Sequence, residues 1–535
     1  MIVNLAVIIE LVLLIAVMIM GTRFYSHMLQ LSSYQFQGYF RFLRTSNKMK
    51  NIIHAVMGIS MVFMLLLGAG DFIVIMAIAY SILCLLLYRP VPAKKKFVVT
   101  QRVQRLFITD GIIFAIIFGI IAVNLFNKTN NVTTGVVTAI FFALFPLITA
   151  LANLINKPVE KQVNQYYIND AKRILKEHPN LRIIGVTGSY GKTSVKYYLN
   201  TLLSEGFRVL ITPESFNTPM GVVRTIRGDL KNTHEVFVCE MGARHVGDIK
   251  EICDIVHPDD GVVTSIGPQH LETFHNQQNI INTKYELLDA VEEKSKDYKE
   301  PGKHLKWVNF DNDFIHDNMK YSDAITYGTR EGAAYRASEV SVSRAGTSFK
   351  VTGPDGTSED FTTKLIGPHN VQNVVGAIAV AASLGIPMNK LKMAVRRLQP
   401  VSHRLELIQR GPITILDDAY NSNPAGAKTA IDTLSLFADT VKILVTPGMV
   451  ELGEKENELN MEFGRQAAEV CDYIILVGEK QTEYIKKGAL EKGFSSEKLF
   501  VKNTLNEATA LMYELDAGKE KVILLENDLP DNYTK

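Results

Sequence analysis

The sequence predicts a two-part fold: an α-helical membrane domain followed by α/β domains built on parallel sheets. Three observations predict it. Apolar residues, 47% of a 535-residue chain, crowd into the first 155 positions as long runs. A strand, a glycine-rich turn and a helix follow one another over residues 181–203. From there onward, short β-rich runs alternate with helical stretches, the pattern of βα units.

The apolar runs are about Val3–Met20, Ile52–Ala69, Phe72–Tyr88, Gly111–Phe126 and Gly135–Ile155. Each approaches the roughly 20 residues that cross a bilayer. They lack the polar face of a helix lying on a soluble core. No basic flank precedes the first run and no small-residue cleavage site follows it, so it reads as a retained helix rather than a signal peptide. Arg23, Arg41, Arg44, Lys48 and Lys50 fill the first loop, and Arg89, Lys94, Lys95, Lys96, Arg102 and Arg105 fill the third. The other two loops hold only Lys128. The positive-inside rule then puts the N-terminus outside and the C-terminus in the cytoplasm. The expectation is a multi-pass plasma-membrane protein in contact with lipid, the domains after the apolar runs cytoplasmic. Glu10, His54 and Asn124 lie in or beside these runs, as functional groups or as helix contacts. The aromatic loop Leu29–Leu43 reads as an amphipathic stretch on the inner surface or as a plain connector.

Charge separates the two parts. Residues 1–156 hold twelve Lys/Arg and three Asp/Glu, leaving 45 basic and 52 acidic residues beyond. That mildly acidic remainder argues against a nucleic-acid partner. Four cysteines without C-x-x-C spacing argue against a structural zinc site or a disulfide framework. The predicted domains are a membrane domain over 1–156 with five transmembrane helices, a linker helix over 157–180, a central domain over 181–398 and a C-terminal domain over 399–535.

The stretch Gly188-Ser189-Tyr190-Gly191-Lys192-Thr193-Ser194 follows an apolar strand and opens a helix. That is the architecture of a phosphate-binding loop, in which backbone N–H groups and a helix N-terminus meet phosphate oxygens. Lys192 reaches terminal phosphates and Thr193 offers its hydroxyl to magnesium, so a nucleotide and Mg2+ are expected here; the resemblance described below makes the nucleotide ATP. The strand Val236–Cys239 ends in Glu240, where a second magnesium ligand belongs. A further strand precedes Gly267-Pro268-Gln269-His270. Residues Ala337 to Phe361 alternate and carry glycines, which predicts a small antiparallel insert. In the C-terminal domain, Ile413–Leu416, Val441–Val445, Tyr473–Val477 and Lys521–Leu525 read as strands of a second, Rossmann-like sheet without a phosphate loop.

These motifs resemble the Mur ligase family, whose members form amide bonds in cell-wall precursor synthesis. The nearest likeness is to the members that add D-alanyl-D-alanine. The resemblance rests on Gly188 to Thr193, Glu240 to Ile249, Gln269 to Phe274, Thr283 to Leu287, Gly367 to Asn373, Arg404-Leu405-Glu406, Asp417 to Pro424 and Gly448 to Gly453. It implies a P-loop ATPase domain and a ligase domain, with ATP-dependent amide ligation through an acyl phosphate. Thr193 and Glu240 would hold one magnesium, and His270 with Lys284 would serve a second, Lys284 as a carbamate. Lys192, Lys284 and His270 would be the catalytic set. Gly188 to Ser194, Asn370, Asn373, Arg404, Asp417 and Asp418 would surround the nucleotide. Asn217, His245, Tyr420, Asn421 and Asn423 would face the substrates, a carboxylate acceptor and an amino-acid or dipeptide amine.

One departure from the family is plain. Its usual N-terminal domain, which grips a uridine nucleotide, is replaced by the apolar runs. This suggests an acceptor that is either a small molecule or lipid-linked. Two other readings stand beside the ligase: a membrane scaffold or nucleotide-gated regulator with a silent ligase core, and a folate-type glutamate ligase.

Overall fold

The computed structural model describes residues 2–44, 47–67, 70–89, 96–126, 131–214, 216–297, 303–343, 346–419, 423–450, 452–516 and 520–528. The chain forms two compact units, Met1–Gln165 and Tyr166–Leu529.

The first unit is helical: α1 (Ile2–Leu31), α2 (Phe36–Arg44), α3 (Lys48–Leu66), α4 (Gly70–Leu87), α5 (Gln101–Phe126) and α6, which begins at Asn131 and runs to Lys176. One expectation is corrected here, and one of two open readings is favoured. The fifth apolar run and the linker helix are one helix, α6, because Pro146 and Pro158 lie inside it without ending it; an isolated proline bends a helix when its neighbours hold the two sides. The aromatic loop is largely helix, since α1 continues to Leu31 and α2 follows, with Tyr39 and Leu43 buried and its basic residues in the last turn. Val12–Leu31 alone, among the described residues, is by itself long and apolar enough to cross a membrane.

The side chains of this unit are sorted in an unusual way. Ile52, Val56, Ile59 and Phe63 lie exposed along α3, and Ile108, Ile112 and Ile116 along α5. Ser26, Asn47, His54, Ser81, Asp110 and Thr149 are buried. His54 bridges two hydroxyls through its ring nitrogens, that of Tyr80 and that of Tyr88, the latter at 2.6 Å. It is thus a contact between helices. The side chains of Glu10 and Asn124 lie outside the described residues.

The second unit carries two sheets. The first consists of β1 (Arg182–Thr187), β2 (Val209–Ile211), β3 (Val236–Glu240), β4 (Asp260–Val263), β5 (Lys306–Asn309), β6 (Ile325–Gly328), β7 (Tyr335–Ser343), β8 (Gly346–Thr352) and β9 (Ser358–Thr363), in the order β2-β3-β1-β4-β5-β6-β7-β8-β9. Strands β7, β8 and β9 pair antiparallel and form the expected insert as an extension of the parallel part. Strand β1 is flanked in parallel by β3 and β4. The chain therefore leaves β1 at a switch point, where adjacent connections diverge and a crevice opens beyond the strand ends.

Alternation along the strands builds the layers. Ile184, Val186, Val238 and Val262 face α7 (Lys192–Leu203) and the helix Pro368–Ser383 in one apolar cluster. Ile183, Phe237 and Val263 face the helices Asp248–Val256 and Gln277–Asp297 in another. The second sheet consists of β10 (Glu406–Arg410), β11 (Ile413–Asp418), β12 (Val441–Thr446), β13 (Tyr473–Val477), β14 (Leu499–Lys502) and β15 (Lys521–Glu526), in the order β10-β11-β15-β12-β13-β14. Its strands are parallel except β10, which pairs antiparallel with β11.

One ion pair fastens the start of β1 to that of β4. Arg182 donates from Nε and Nη2 to the two oxygens of Asp260 at 2.6 and 3.0 Å, and Asp260 is fully buried. Removing the guanidinium leaves that carboxylate without its cation, a loss of about 3 kcal/mol. Arg182→Ala is therefore expected to lower the melting midpoint of the full-length protein by several degrees; a midpoint equal to wild type in a thermal scan would refute it.

Candidate active site

The site lies at the C-terminal edge of the first sheet, in the crevice beyond β1. The turn from β1 to α7 needs glycine at two places. Gly188 has φ 152° and a Cβ there would stand 2.2 Å from the Thr264 hydroxyl. Gly191 has φ 80°, and its Cβ would stand 2.6 Å from Asn373 Oδ1. Asn373 therefore lies against the loop. The first-turn amides of α7, which starts at Lys192, face the same crevice.

Ser189 and Tyr190 fix the loop to the next strand end. The Ser189 hydroxyl donates to Gly267 O at 3.0 Å, and the Tyr190 hydroxyl donates to Pro268 O at 2.9 Å. Those two partners lie three and two residues before His270, which is half-buried at φ 53° and opens the short helix Leu271–Phe274. Lys192 curls over the loop, donating to Gly188 O at 2.7 Å and Ser189 O at 3.0 Å. Burial lowers its pKa to about 8, against the attraction of Glu240 and with Arg404 adding to the fall.

Glu240 ends β3 fully inside the protein. Its Oε1 accepts from the Thr193 hydroxyl at 3.1 Å and from Asn217 Nδ2 at 2.9 Å. Its Oε2 lies 3.0 Å from Lys196 Nζ. Burial alone would raise this carboxyl's pKa; the Lys196 and Lys192 charges and the Asn217 bond overcome it and hold the group below the ordinary value. A carboxylate and a hydroxyl side by side suit magnesium, a hard ion that takes few protein ligands and completes its shell with water and phosphate oxygens. Lys284 is buried, and its pKa is driven far down by burial and then by the Lys192 charge. An ammonium is disfavoured there, and the neutral amine is the form that reacts with carbon dioxide to give an anionic carbamate.

The second sheet brings Arg404, whose Nη2 donates to Thr193 Oγ1 at 3.4 Å. Asp418 accepts from the Leu405 amide at 3.1 Å, and burial raises its pKa to about 6. Asp417 meets His403 Nδ1 at 2.7 Å.

Several expected residues make bonds within the protein. Both polar ends of Asn370 are used internally: its Oδ1 accepts from the Tyr198 hydroxyl and its Nδ2 donates to Ile366 O, each at 2.9 Å. Asn217 bonds the Glu240 carboxylate. Asn423 caps the helix Pro424–Ser435 by accepting from Gly426 N at 2.8 Å. His245 is exposed, and its amide donates to Asp248 at 2.8 Å. Tyr420 and Asn421 lie outside the described residues. Sequence reasoning passed over Lys196 and His403. Lys196 falls three residues after Thr193, one helical turn along the same face, and that spacing was the available signal.

Comparisons with known proteins agree with this geometry. The model of the Mur ligase middle domain matches residues 186–381, and that of the Mur ligase glutamate ligase domain matches residues 403–526. The UDP-N-acetylmuramoyl-tripeptide–D-alanyl-D-alanine ligase of Bacillus subtilis strain 168 is 32% identical over 342 residues, covering 63% of this chain and 70% of that protein. A crystal structure of MurF from Acinetobacter baumannii has a TM-score of 0.60 at 25% identity, over 69% of this chain and 78% of that one. MurF from Thermotoga maritima in complex with ADP has the same fold, with a TM-score of 0.60 at 24% identity over 69% and 81% of the two chains.

The loop geometry carries its own test. In Gly191→Ala, the left-handed φ and the Asn373 contact both oppose the new methyl group. ADP affinity is expected to fall at least tenfold by calorimetry with helix content unchanged by circular dichroism. Wild-type affinity would show that the loop does not hold the nucleotide in this form.

Proposed function

This chain belongs to the Mur ligase family, and we propose that it works at a membrane, joining a dipeptide amine of the D-alanyl-D-alanine kind to a lipid-linked wall precursor. The coarser statement needs no proposal: it is an ATP- and magnesium-dependent ligase that forms amide bonds in peptidoglycan precursor synthesis. The observation that carries the mechanism is the Thr193–Glu240 pair beside the phosphate loop, covered by Arg404.

In this reading the acceptor carboxylate takes the terminal phosphoryl group of ATP, and the amine then displaces phosphate from the acyl phosphate. Lys192 and the loop amides bind and orient the phosphates. Magnesium, held by Thr193 and Glu240, supplies further neutralisation of phosphate charge when bound. Asn217 keeps the Glu240 carboxylate aimed. Lys284, as a carbamate, would add negative charge where its ammonium is disfavoured, and His270 would serve the same second magnesium. Arg404 covers the loop from the second sheet and helps exclude water, which would hydrolyse an acyl phosphate.

The membrane part of the proposal is supported by the sorting of side chains in the first unit. Exposed isoleucines at helical spacing outside and polar groups inside invert the arrangement of a water-soluble bundle. Positive-inside counting adds an orientation, with the ligase domains cytoplasmic. A membrane-anchored chain with helices in place of a uridine-binding domain favours an acceptor that is itself membrane-bound.

Two outcomes check this reading. The full-length protein is expected to stay in the membrane pellet after an alkaline wash, and its release to the supernatant would refute a multi-pass unit. Phosphate release by the full-length protein in lipid nanodiscs, with ATP and D-alanyl-D-alanine, is expected to show at least tenfold higher kcat/KM for polyprenyl-diphosphate-linked muramoyl tripeptide than for the uridine-linked form. Equal values would remove the lipid-linked acceptor and leave the ligase.

A further inference from the structure

Lys196 is fully buried on α7, one turn beyond Thr193. Lysine is seldom wholly buried unless its charge is paired. Here the ammonium stands 3.0 Å from Glu240 Oε2 and donates to the backbone carbonyl of Glu214 at 2.5 Å. Glu214 lies in the segment that connects β2 to the helix Pro219–Asp229. It holds φ 40°, a conformation that costs a residue with a side chain free energy and persists where surroundings enforce it.

The same segment returns to Glu240 at both ends. Thr212 Oγ1 accepts from the Glu240 amide at 3.1 Å, and Asn217 Nδ2 donates to Glu240 Oε1 at 2.9 Å. Asn217 O also accepts from the Gly242 amide at 2.8 Å, just past β3. The two ends are thus held by ordinary hydrogen bonds, while the strained bend between them is held by the Lys196 ammonium. Both of that ammonium's partners are acceptors, so a multi-proton donor suits the place and an apolar side chain of equal length does not.

We propose that Lys196 is a positioning residue whose ammonium ties the bend at Glu214 to the Glu240 carboxylate, so that the acceptor-side segment and the metal-binding oxygen are set by one group. The metal and acceptor roles of these neighbours rest on the ligase reading; the tie itself does not.

Amide hydrogen exchange on the full-length protein without ligand tests it. The Thr212 and Phe216 amides donate to Val238 O and Pro213 O. In Lys196→Met they are expected to exchange at least tenfold faster than in wild type, with the β1 amides of Arg182–Thr187 unchanged. Unchanged exchange at Thr212 and Phe216 overturns the proposal. So does acceleration that extends through β1, since that marks a general loss of packing. Should Lys196→Met fail to fold, the double variant Lys196→Met/Glu240→Gln removes the carboxylate left without its cation. Tenfold faster exchange there supports the tie; wild-type exchange shows that Lys196 only balances a charge, and overturns it. No substrate enters the experiment, so its failure and a failure of the turnover assay are separate results.

Discussion

The buried ion pair of Glu240 and Lys196 is the constraint on which the catalytic edge depends. A carboxylate at the end of β3, out of water, costs several kcal/mol unless it is paired and hydrogen-bonded. Breaking such a pair costs about 3–5 kcal/mol, because one charge is left behind. Glu240 meets that demand with Lys196 and Thr193 from α7 and Asn217 from the segment after β2. Three separate pieces of chain are thereby held at one point. The paired carboxylate also stays ionised, and an ionised oxygen beside the Thr193 hydroxyl is what a magnesium ion needs. Folding and catalysis draw on the same contact.

The second sheet reaches that point through a strained hinge. His403 and Leu405 hold φ 60° and 47°, so left-handed residues flank Arg404 on both sides. Each neighbour is tied to the end of β11: His403 to Asp417, and the Leu405 amide to Asp418. Backbone strain of this kind persists only where the surroundings over-determine it. Its effect here is to turn the Arg404 side chain away from its own sheet and onto Thr193 of the first. The two aspartates thus brace the neighbours of the arginine, Asp417 through the His403 ring and Asp418 through the Leu405 amide.

Legibility in the sequence followed the kind of signal each residue carries. The β1–loop–α7 unit was readable because a phosphate loop demands glycine at fixed places, and Gly188 and Gly191 have the φ values that demand implies. Glu240 was readable as a charge ending an apolar strand. The asparagines are harder to read, because one amide side chain serves a cap, a clasp or a ligand with the same donors and acceptors. In the structure Asn423 caps a helix, Asn370 clasps Tyr198, and Asn217 bonds the carboxylate. Lys196 is hard to read for a different reason: its spacing from Thr193 is a weak signal, a lysine in a helix normally reads as solvated surface, and the tertiary position of Glu240 gives it a buried partner. The continuity of α6 was hidden by Pro158 and by the change from apolar to charged residues near it, two local signs of an ending that packing overrules.

The first unit shows how far composition alone can be taken. Mean hydropathy identified apolar runs but said nothing of which side faces outward. In the structure, Ile108, Ile112 and Ile116 form an exposed stripe on α5, whereas Asp110 on the same helix is buried. A helix in water would gain free energy by the opposite rotation, hiding the isoleucines at ~25 cal/mol per Å2 and solvating the carboxylate. The observed rotation supports the proposed bilayer setting, since it costs less where the surroundings are less polar than the interior. For that proposal, the orientation of a single helix about its own axis is a more direct support than the length of any apolar run.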